Sequence, residues 1–359
     1  MGTMFITDTK RLQVAPTDEI RTAILAIDVN ELQTALVVDA AGRLLGIVTD
    51  GDVRRGLLRG AQLSDSVATI QNEAPLTAPA GASPQYVDAL MQRSSLFRIP
   101  LVDEAGTVVA LAVALPRPAA LHDNLVVLMA GGLGTRLGEL TRDTPKPLLN
   151  VGPHPILETI VEGFCRQGFR RFAISVNYRA EMIERYFGDG SRWGAHITYL
   201  REDRRLGTAG ALGLLPALPQ ETLLVMNADV LTRVDYRRML DFHAATGAAA
   251  TMAVRDYSQE VPFGVVELSE EHVTQLVEKP VTHYFINAGI YALEPECLEL
   301  VPAGEYYDMT SLLVELLHNT RKVSSFPVHE YWQDVGRPAD LSQAREVYSQ
   351  VFHDREGPA

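Results

Sequence analysis

Residues 126–148 constrain the fold of this chain more than any other segment. Residues 126–129 read VVLM, and a short apolar run of this kind is typical of a buried strand. The residues that follow, 130–137, read AGGLGTRL. Glycines let the backbone turn tightly and bring bare N–H groups close to a ligand. The segment therefore predicts a strand that ends in an anion-binding loop.

The ligand of this loop is predicted to be a nucleoside triphosphate, because Arg136 and Lys146 add two positive charges to the backbone N–H groups. A dinucleotide-binding fingerprint is excluded, since Gly138 comes one position too late for G-x-G-x-x-G. A Walker loop is excluded because no Lys-Ser or Lys-Thr pair follows. The alternative left open is a simple turn with a surface arginine. The predicted nucleotide-binding residues of the loop are Ala130, Gly131, Gly132, Gly134 and Thr135.

Beyond the loop, strand-like apolar segments alternate with helix-like amphipathic ones. This alternation predicts an α/β domain, in which a mostly parallel sheet carries helices on both faces. Ligands of such sheets bind beyond the carboxyl ends of the strands. The predicted strands are residues 125–129, 171–176, 196–199, 223–227 and 249–254, and the predicted helices are residues 155–167, 180–187 and 236–245.

The motifs G-G-x-G-T-R-L and P-K-P-L, the latter at residues 145–148, together resemble the signature of the sugar-1-phosphate nucleotidyltransferases. The resemblance covers residues 124–347, and its motifs occur in family order. It implies a Rossmann-like, mostly parallel (GT-A-like) nucleotidyltransferase domain over residues 122–353. It also implies that Arg136 and Lys146 act in catalysis, by stabilising the triphosphate and the pyrophosphate that leaves.

A second glycine-bearing turn, with the sequence LGTAGAL, spans residues 206–212. Its pattern E-x-x-x-L-G-T-A-G resembles the base-recognition segment of guanylyltransferases, such as those acting on mannose 1-phosphate. Thymidylyl enzymes of the same fold usually carry a glutamine in this segment. The resemblance implies that Glu202, Gly207 and Thr208 bind the nucleotide, with a plain loop into a buried helix as the alternative.

Two aspartates are predicted to bind Mg²⁺. Asp229 ends a buried strand, and Asp334 lies in the family motif W-x-D-V-G. Carboxylate oxygens suit Mg²⁺, which usually shares itself with substrate phosphates. Each aspartate alone would more often be a cap or turn residue. Asp229 stands in the sequence NAD rather than in a D-x-D motif, which argues against a glycosyltransferase of related fold.

The resemblance places the sugar phosphate near residues 262–287. It implies that Lys279 holds the phosphate as a catalytic residue, that Glu278 and Asn287 lie at the sugar hydroxyl groups, and that Gly264 offers a backbone contact. The alternatives are a solvated turn at Glu278 and Lys279 and a cap at Asn287.

An internal repeat organises the first 118 residues. Residues 36–45 and 100–109 each read as strand, Asp-x-x-Gly turn and strand, and each copy follows a helix-like stretch. This repeat resembles a tandem CBS pair, or Bateman module, over residues 1–118. The resemblance implies an adenine or guanine nucleotide whose ribose is held by Thr49 and Asp52; the second copy lacks both groups. A pure packing and dimerisation module is the alternative, and residues 115–120 read as a linker.

Composition excludes several classes of function. The net charge of −13 argues against nucleic-acid binding. The chain has no run of about 18 apolar residues, so no membrane span is expected. Two cysteines in 359 residues favour a reducing cytoplasm, and both are predicted to be buried. CBS pairs commonly associate face to face, so a homo-oligomer is expected.

These expectations converge on transfer of GMP from GTP to a sugar 1-phosphate. A CBS pair ahead of such a transferase resembles bacterial enzymes that make GDP-activated amino sugars, notably glucosamine-1-phosphate guanylyltransferases of legionaminic acid pathways. That resemblance implies glucosamine 1-phosphate as the acceptor. Mannose 1-phosphate, another nucleotide (CTP, UTP or dTTP) and another phosphorylated acceptor such as phosphocholine stay open, as does a non-catalytic nucleotide sensor.

Overall fold

A computed structural model describes residues 3–29, 32, 34–94, 96–114 and 121–352. The chain forms two compact units, Met1–Pro118 and Ala119–Ala359. The predicted linker at residues 115–120 lies outside the described residues, as do the predicted limits at residues 118 and 353.

The N-terminal unit contains two small sheets, ordered β1-β7-β6-β5 and β2-β3-β4, with three helices. Its elements are β1 (Thr3–Ile6), β2 (Gln13–Val14), α1 (Ile20–Val29), β3 (Thr34–Val38), β4 (Leu44–Thr49), α2 (Asp50–Leu58), β5 (Ala78–Pro79), α3 (Pro84–Ser94), β6 (Arg98–Val102) and β7 (Val108–Ala114).

The two copies of the sequence repeat form matching hairpins, β3–β4 and β6–β7. In the first turn, the Asp39 carboxylate accepts hydrogen bonds from the N–H groups of Ala41 and Arg43, each at 2.9 Å. Gly42 and Gly106 both have a φ of +81°, which residues with a side chain rarely adopt. The repeated Asp-x-x-Gly sequence is therefore a repeated turn.

The C-terminal unit is built on a seven-stranded sheet. Its elements are β8 (His122–Met129), α4 (Ile156–Arg166), β9 (Phe169–Val176), α5 (Ala180–Phe187), β10 (His196–Arg201), α6 (Gly207–Gly210), β11 (Leu223–Asn227), β12 (Val230–Thr232), α7 (Tyr236–Thr246), β13 (Ala250–Glu260), β14 (Gly264–Ser269), β15 (His272–Glu278), β16 (Val281–Leu293), α8 (Met309–His318), β17 (Val323–Val328), β18 (Trp332–Asp334) and α9 (Pro338–Phe352).

The strand order is β10-β9-β8-β11-β16-β13-β17, and only β16 runs antiparallel to its neighbours. The mostly parallel α/β sheet expected from the sequence is thus confirmed. Side chains alternate between two buried clusters: Val126 and Leu128 belong to one and Val127 to the other, as the two-residue period of a strand requires. The sheet is therefore covered on both faces, and β8 lies in its interior.

The expected alternation of strand and helix stops after α7. The strands β13 to β16 follow one another without a helix between them, and the pairs β13–β16 and β14–β15 are both antiparallel. We call residues 257–285 the arm, because nearly every residue in it is exposed.

The two cysteines differ in burial. Cys297 is buried and its thiol lies 3.1 Å from the carbonyl oxygen of Ala249, but Cys165 is only partly buried, because its helix position faces the rim of the core. The prediction that both cysteines are buried is wrong for Cys165. Among the described residues, no helix is both long and apolar enough to cross a membrane.

Candidate active site

The glycine-rich loop lies at the carboxyl end of β8, in the interior of the sheet. It borders a cavity of about 250 Å³. Four of the five predicted loop residues line the cavity, together with both predicted cations and one predicted metal ligand. These residues are Ala130, Gly132, Gly134, Thr135, Arg136, Lys146 and Asp229. The cavity can therefore present backbone N–H groups and positive charge to an anionic ligand.

Gly131 faces away from this cavity, toward Glu202. A Cβ atom on Gly131 would lie 2.3 Å from Oε1 of Glu202, so only glycine fits. The Glu202 carboxylate is buried; it accepts hydrogen bonds from the hydroxyl of Ser175 and from the N–H of Leu206, the latter at 2.9 Å. Glu202 thus connects the glycine-rich loop to the second glycine-bearing turn. A direct contact between Glu202 and a base stays a prediction.

Lys146 lies at the floor of the cavity. Its Nζ donates a hydrogen bond of 2.5 Å to Oδ2 of Asp229. The lysine side chain is 9% exposed and the aspartate side chain 26%. The predicted triphosphate cation and a predicted metal ligand are therefore in direct contact.

A two-stranded ladder brings the two predicted metal ligands together. Strand β12 pairs with β18 so that Val230 lies opposite Asp334. The N–H of Val335 also donates to the carbonyl oxygen of Asp229 at 3.0 Å. Burial raises the pKa of Asp334, the negative charge of Asp229 raises it further, and Lys146 and Arg136 oppose the shift. Two adjacent, partly buried carboxylates match the oxygen ligands that Mg²⁺ takes in proteins.

Arg136 packs against the same ladder through Gly336. A Cβ atom on Gly336 would lie 3.2 Å from a guanidinium nitrogen of Arg136 and 3.2 Å from Oδ2 of Asp334. The glycine of W-x-D-V-G therefore permits the close approach of the loop arginine to the Asp334 carboxylate.

A second cavity, of about 570 Å³, adjoins this group. It is lined by Arg136, Asp334 and Gly336, and also by Arg255 and Arg337, which the sequence analysis missed. Arg205, also missed, lines the first cavity. Arg205 immediately precedes the second glycine-bearing turn and Arg337 immediately follows W-x-D-V-G, so adjacency to a motif was a usable signal for both. No such signal marks Arg255.

The second glycine-bearing turn is held by the start of α8. The N–H and hydroxyl of Thr208 donate to Oδ1 of Asp308 at 3.0 and 3.2 Å, and the same hydroxyl accepts from the N–H of Met309 at 2.8 Å. Gly207 has a φ of +78°, and a Cβ atom there would lie 2.7 Å from the carbonyl oxygen of Tyr307. The structure thus places Gly207 and Thr208 in a rigid turn; their contact with a base stays a prediction.

The predicted acceptor residues do not gather at the cavities. Gly264 and Glu278 are partners at the base of the β14–β15 hairpin, with Lys279 next in the chain, at a φ of +47°. Asn287 lies elsewhere on β16, opposite Val254, where its side-chain amide donates to the Tyr291 hydroxyl at 2.7 Å.

These two groups are well separated along the strand. Val281 and Asn287 are six residue steps apart, which corresponds to about 20 Å of extended strand. The structure therefore does not bring Asn287 together with Gly264, Glu278 and Lys279.

In the N-terminal unit, Thr49 and Asp52 form a capping box at the start of α2. The backbone N–H and the hydroxyl of Thr49 donate to Oδ2 of Asp52 at 2.8 and 2.6 Å, and Arg55 forms an ion pair with the same carboxylate. A cavity of about 490 Å³ beside Asp52 is lined by Arg55 and Arg59. Of the two residues predicted to hold a ribose, Asp52 lines this cavity and Thr49 does not, and the hydrogen-bonding groups of both are engaged in the cap.

A glycine-rich loop at the carboxyl end of a central strand, next to two carboxylates and several cations, is typical of α/β proteins that transfer nucleotidyl groups. The family model for nucleotidyl transferases matches residues 125–351. The chain belongs to the nucleotidyl transferase family. The CBS domain model matches residues 6–59, within the N-terminal unit.

Curated relatives include mannose-1-phosphate guanyltransferases. The protein from Debaryomyces hansenii is 30% identical over 242 residues, which cover 64% of this chain and 66% of the relative. The Mycobacterium tuberculosis mannose-1-phosphate guanylyltransferase is 32% identical over 229 residues, covering 62% and 64% of the two chains. This chain therefore spans slightly less than two thirds of the length of these relatives.

A solved structure shares the fold. It is a proposed glucose-1-phosphate thymidylyltransferase from Bacillus anthracis in complex with sucrose, with a TM-score of 0.53 and 22% identity over 64% of this chain and 98% of that one. At this level of identity the likeness concerns the fold alone.

Proposed function

We propose that this protein transfers a guanylyl group from GTP to a sugar 1-phosphate and releases pyrophosphate. The observation that carries the proposal is the pairing of β12 with β18, which sets Asp229 beside Asp334 at a cavity lined by the glycine-rich loop, Arg136 and Lys146. Two relatives that are mannose-1-phosphate guanylyltransferases support GTP as the nucleotide.

The side chains of the cavity fit nucleotidyl transfer, which needs positioning and charge neutralisation more than a covalent catalyst. The loop N–H groups bind phosphate oxygens, while Arg136 and Lys146 stabilise the charge that builds up on the departing pyrophosphate. Asp229 and Asp334 would hold Mg²⁺, which supplies charge neutralisation at the phosphates when bound. The sugar phosphate oxygen attacks the α-phosphorus as the bond to pyrophosphate breaks.

The acceptor is proposed to be glucosamine 1-phosphate, on the resemblance of the domain arrangement to amino-sugar guanylyltransferases. The curated relatives favour mannose 1-phosphate as the second candidate. Within this proposal Lys279 holds the sugar phosphate, and Gly264, Glu278 and Asn287 lie at the sugar.

The N-terminal unit is proposed to bind one adenine or guanine nucleotide at Thr49 and Asp52 and to regulate turnover. The cavity beside Asp52, with Arg55 and Arg59 in its lining, supports a phosphorylated ligand. Association of CBS units into a homo-oligomer and a cytoplasmic location are part of the same proposal.

The test is pyrophosphate release with Mg²⁺, using GTP, CTP, UTP, dTTP and ATP against glucosamine, mannose and glucose 1-phosphates and phosphocholine. We expect release with GTP and one of the first two sugars. Release with another nucleoside triphosphate would overturn the assignment of GTP, but would still support nucleotidyl transfer as the reaction. No release with any pair, with and without added AMP, ATP, GMP or GTP, would favour a nucleotide sensor.

Two variants assign the roles of the site residues. Asp334→Asn should abolish turnover with the fold intact, because the carboxylate charge is lost with little change in shape. Lys279→Ala should raise the KM for the sugar phosphate far more than the KM for GTP. Equal changes in both KM values would contradict the role given to Lys279. Lys322→Ala, at an exposed lysine remote from the cavities, is the matched control.

A further inference from the structure

The arm exposes an unusual amount of apolar surface. Eleven of its large apolar side chains are between 37% and 71% exposed. Together they present roughly 1,000 Å² to solvent, against the ~800 Å² that each partner buries in a standard protein interface. These residues are Tyr257, Phe263, Val265, Val266, Leu268, Val273, Leu276, Val277, Val281, Tyr284 and Phe285.

Within the described part of the chain, the outer hairpin of the arm, β14–β15, pairs with no other strand. Strands β14 and β15 pair only with each other among the described strands, and every residue of both is exposed. An isolated two-stranded hairpin is marginally stable in water. An apolar patch of this size on an extended ribbon therefore indicates a surface that another molecule covers.

The residues assigned to the acceptor are on this same arm. Gly264, Glu278 and Lys279 lie at the base of the hairpin, and no residue from 256 to 330 lines either cavity beside Asp334. Among the described residues, the two cavities are therefore lined by proposed nucleotide-binding and metal-binding residues, but by none of the proposed acceptor residues of the arm.

We propose that two copies of this chain exchange arms, so that Gly264, Glu278 and Lys279 of each copy complete the acceptor side of the other copy's active site. The proposal rests on the proposed function, since that function gives these residues their role. A reciprocal exchange has the two-fold symmetry that most homodimers adopt, and it buries the exposed apolar surface of both arms.

The charges of the arm and of the 570 Å³ cavity favour a second copy of this chain as the molecule that covers the arm. The arm carries five glutamates and a single lysine. The 570 Å³ cavity beside Asp334 is lined by three arginines (Arg136, Arg255 and Arg337) and two aspartates (Asp334 and Asp340), so that positive charges outnumber negative ones in its lining. An acidic, apolar arm thus meets a cation-rich recess, and complementary charge of this kind favours the correct partner and register.

Complementation between two inactive chains tests the exchange. One chain carries Lys279→Ala, the other Asp334→Asn, and differently tagged copies are co-expressed so that the mixed dimer is isolated. Exchange places an intact arm at an intact metal site in one of the two sites, so about half of the wild-type activity is expected. An inactive mixed dimer would overturn the proposal, as would wild-type activity of the Lys279→Ala homodimer.

The reciprocal mixture is the matched control. A dimer of one wild-type chain and one chain with both substitutions has no complete site after exchange, so we expect it to lose nearly all activity. If the arm acts within its own chain, this dimer should instead keep about half of the wild-type activity. Circular dichroism of each homodimer separates loss of function from loss of fold.

A cross-link tests the exchange without any turnover. Phe263→p-benzoylphenylalanine puts a photo-reactive group on a side chain that is 71% exposed. We expect a covalent dimer whose linked peptide contains residues 331–343 of the other copy. A cross-link within one chain, a dimer joined elsewhere, or no cross-link would overturn the exchange. Because this result does not need substrate, failure of the proposed function alone would show as a correct cross-link without turnover.

Discussion

Lys146 forms an ion pair with Asp229, with 2.5 Å between Nζ and Oδ2, at the floor of the cavity that the glycine-rich loop borders. The lysine therefore neutralises one of the two carboxylates proposed to bind Mg²⁺. A metal at Asp229 and Asp334 must share Asp229 with this lysine or displace it toward the triphosphate. Nucleotide and metal binding are then coupled through one side chain.

Removal of this lysine should make the protein less stable but more responsive to metal. Lys146→Met leaves Asp229 without its cation, which should cost about 1–3 kcal/mol of unfolding free energy. Mg²⁺ can replace the lost charge, so added MgCl₂ should raise the Tm of the variant more than that of the wild type. Thermal unfolding with and without MgCl₂ measures both effects.

The exposed Lys322→Met variant is the control for this experiment, since it removes a lysine without touching the cavity. Equal responses of Lys146→Met and wild type to MgCl₂ would contradict a metal site at Asp229.

Gly131 and Gly132 should differ sharply in their tolerance of a methyl group. A Cβ atom on Gly131 meets Oε1 of Glu202 at 2.3 Å, whereas one on Gly132 has no neighbour within 4 Å. Gly131→Ala should therefore destabilise the ligand-free protein by about 1–3 kcal/mol, and Gly132→Ala should change it little. Urea unfolding of the two variants makes the comparison. Similar midpoints would show that Glu202 moves aside freely.

The sequence was informative where local pattern decides the structure. The apolar runs of β8, β9 and β11 are buried strands, because a strand in the interior of a parallel sheet needs apolar side chains on both faces. The arm was missed because apolar and polar residues are mixed without a clear period in residues 264–278. Only the tertiary structure shows that these residues are exposed and that, of the described strands, β14 and β15 pair with each other alone.

In the candidate active site, too, local sequence pattern identifies residues but does not show which of them lie together. Motif resemblance singled out Asp229 and Asp334, but their adjacency depends on the pairing of β12 with β18, which joins segments a hundred residues apart. The contact of Lys146 with Asp229 and the contact of Glu202 with Gly131 are equally non-local. Residue type can suggest a ligand, but side-chain direction is set by packing that no short motif encodes.

The hold of Asp308 on the second glycine-bearing turn should depend on pH. Burial raises the pKa of Asp308, but hydrogen bonds from Tyr306 and Thr208 outweigh it, so the pKa is lowered. A lowered carboxyl pKa stabilises the fold above the unfolded value of about 3.9, and this stabilisation is lost as pH falls through the folded value. Asp308→Asn should therefore cost about 1 kcal/mol at neutral pH.

The measurement is the difference in urea midpoint between wild type and Asp308→Asn at several pH values. The difference should be constant from pH 7 to about pH 5 and should shrink only below about pH 4. A difference that disappears already between pH 6 and pH 5 would mean that another group, such as a histidine, is responsible.

Asp52 caps helix α2 and is proposed to bind a ribose as well, and the two roles can be separated. Its carboxylate accepts hydrogen bonds from the N–H and hydroxyl of Thr49 at 2.8 and 2.6 Å, so Asp52→Ala should lower stability by about 1 kcal/mol even without nucleotide. A ribose that binds there must replace Thr49 as a partner of the carboxylate. The variant should therefore also lose the rise in Tm that AMP, ATP, GMP or GTP causes in the wild type. Glu73→Ala, at an exposed acid of the same unit, is the control. Loss of stability with an unchanged nucleotide response would leave Asp52 as a cap only.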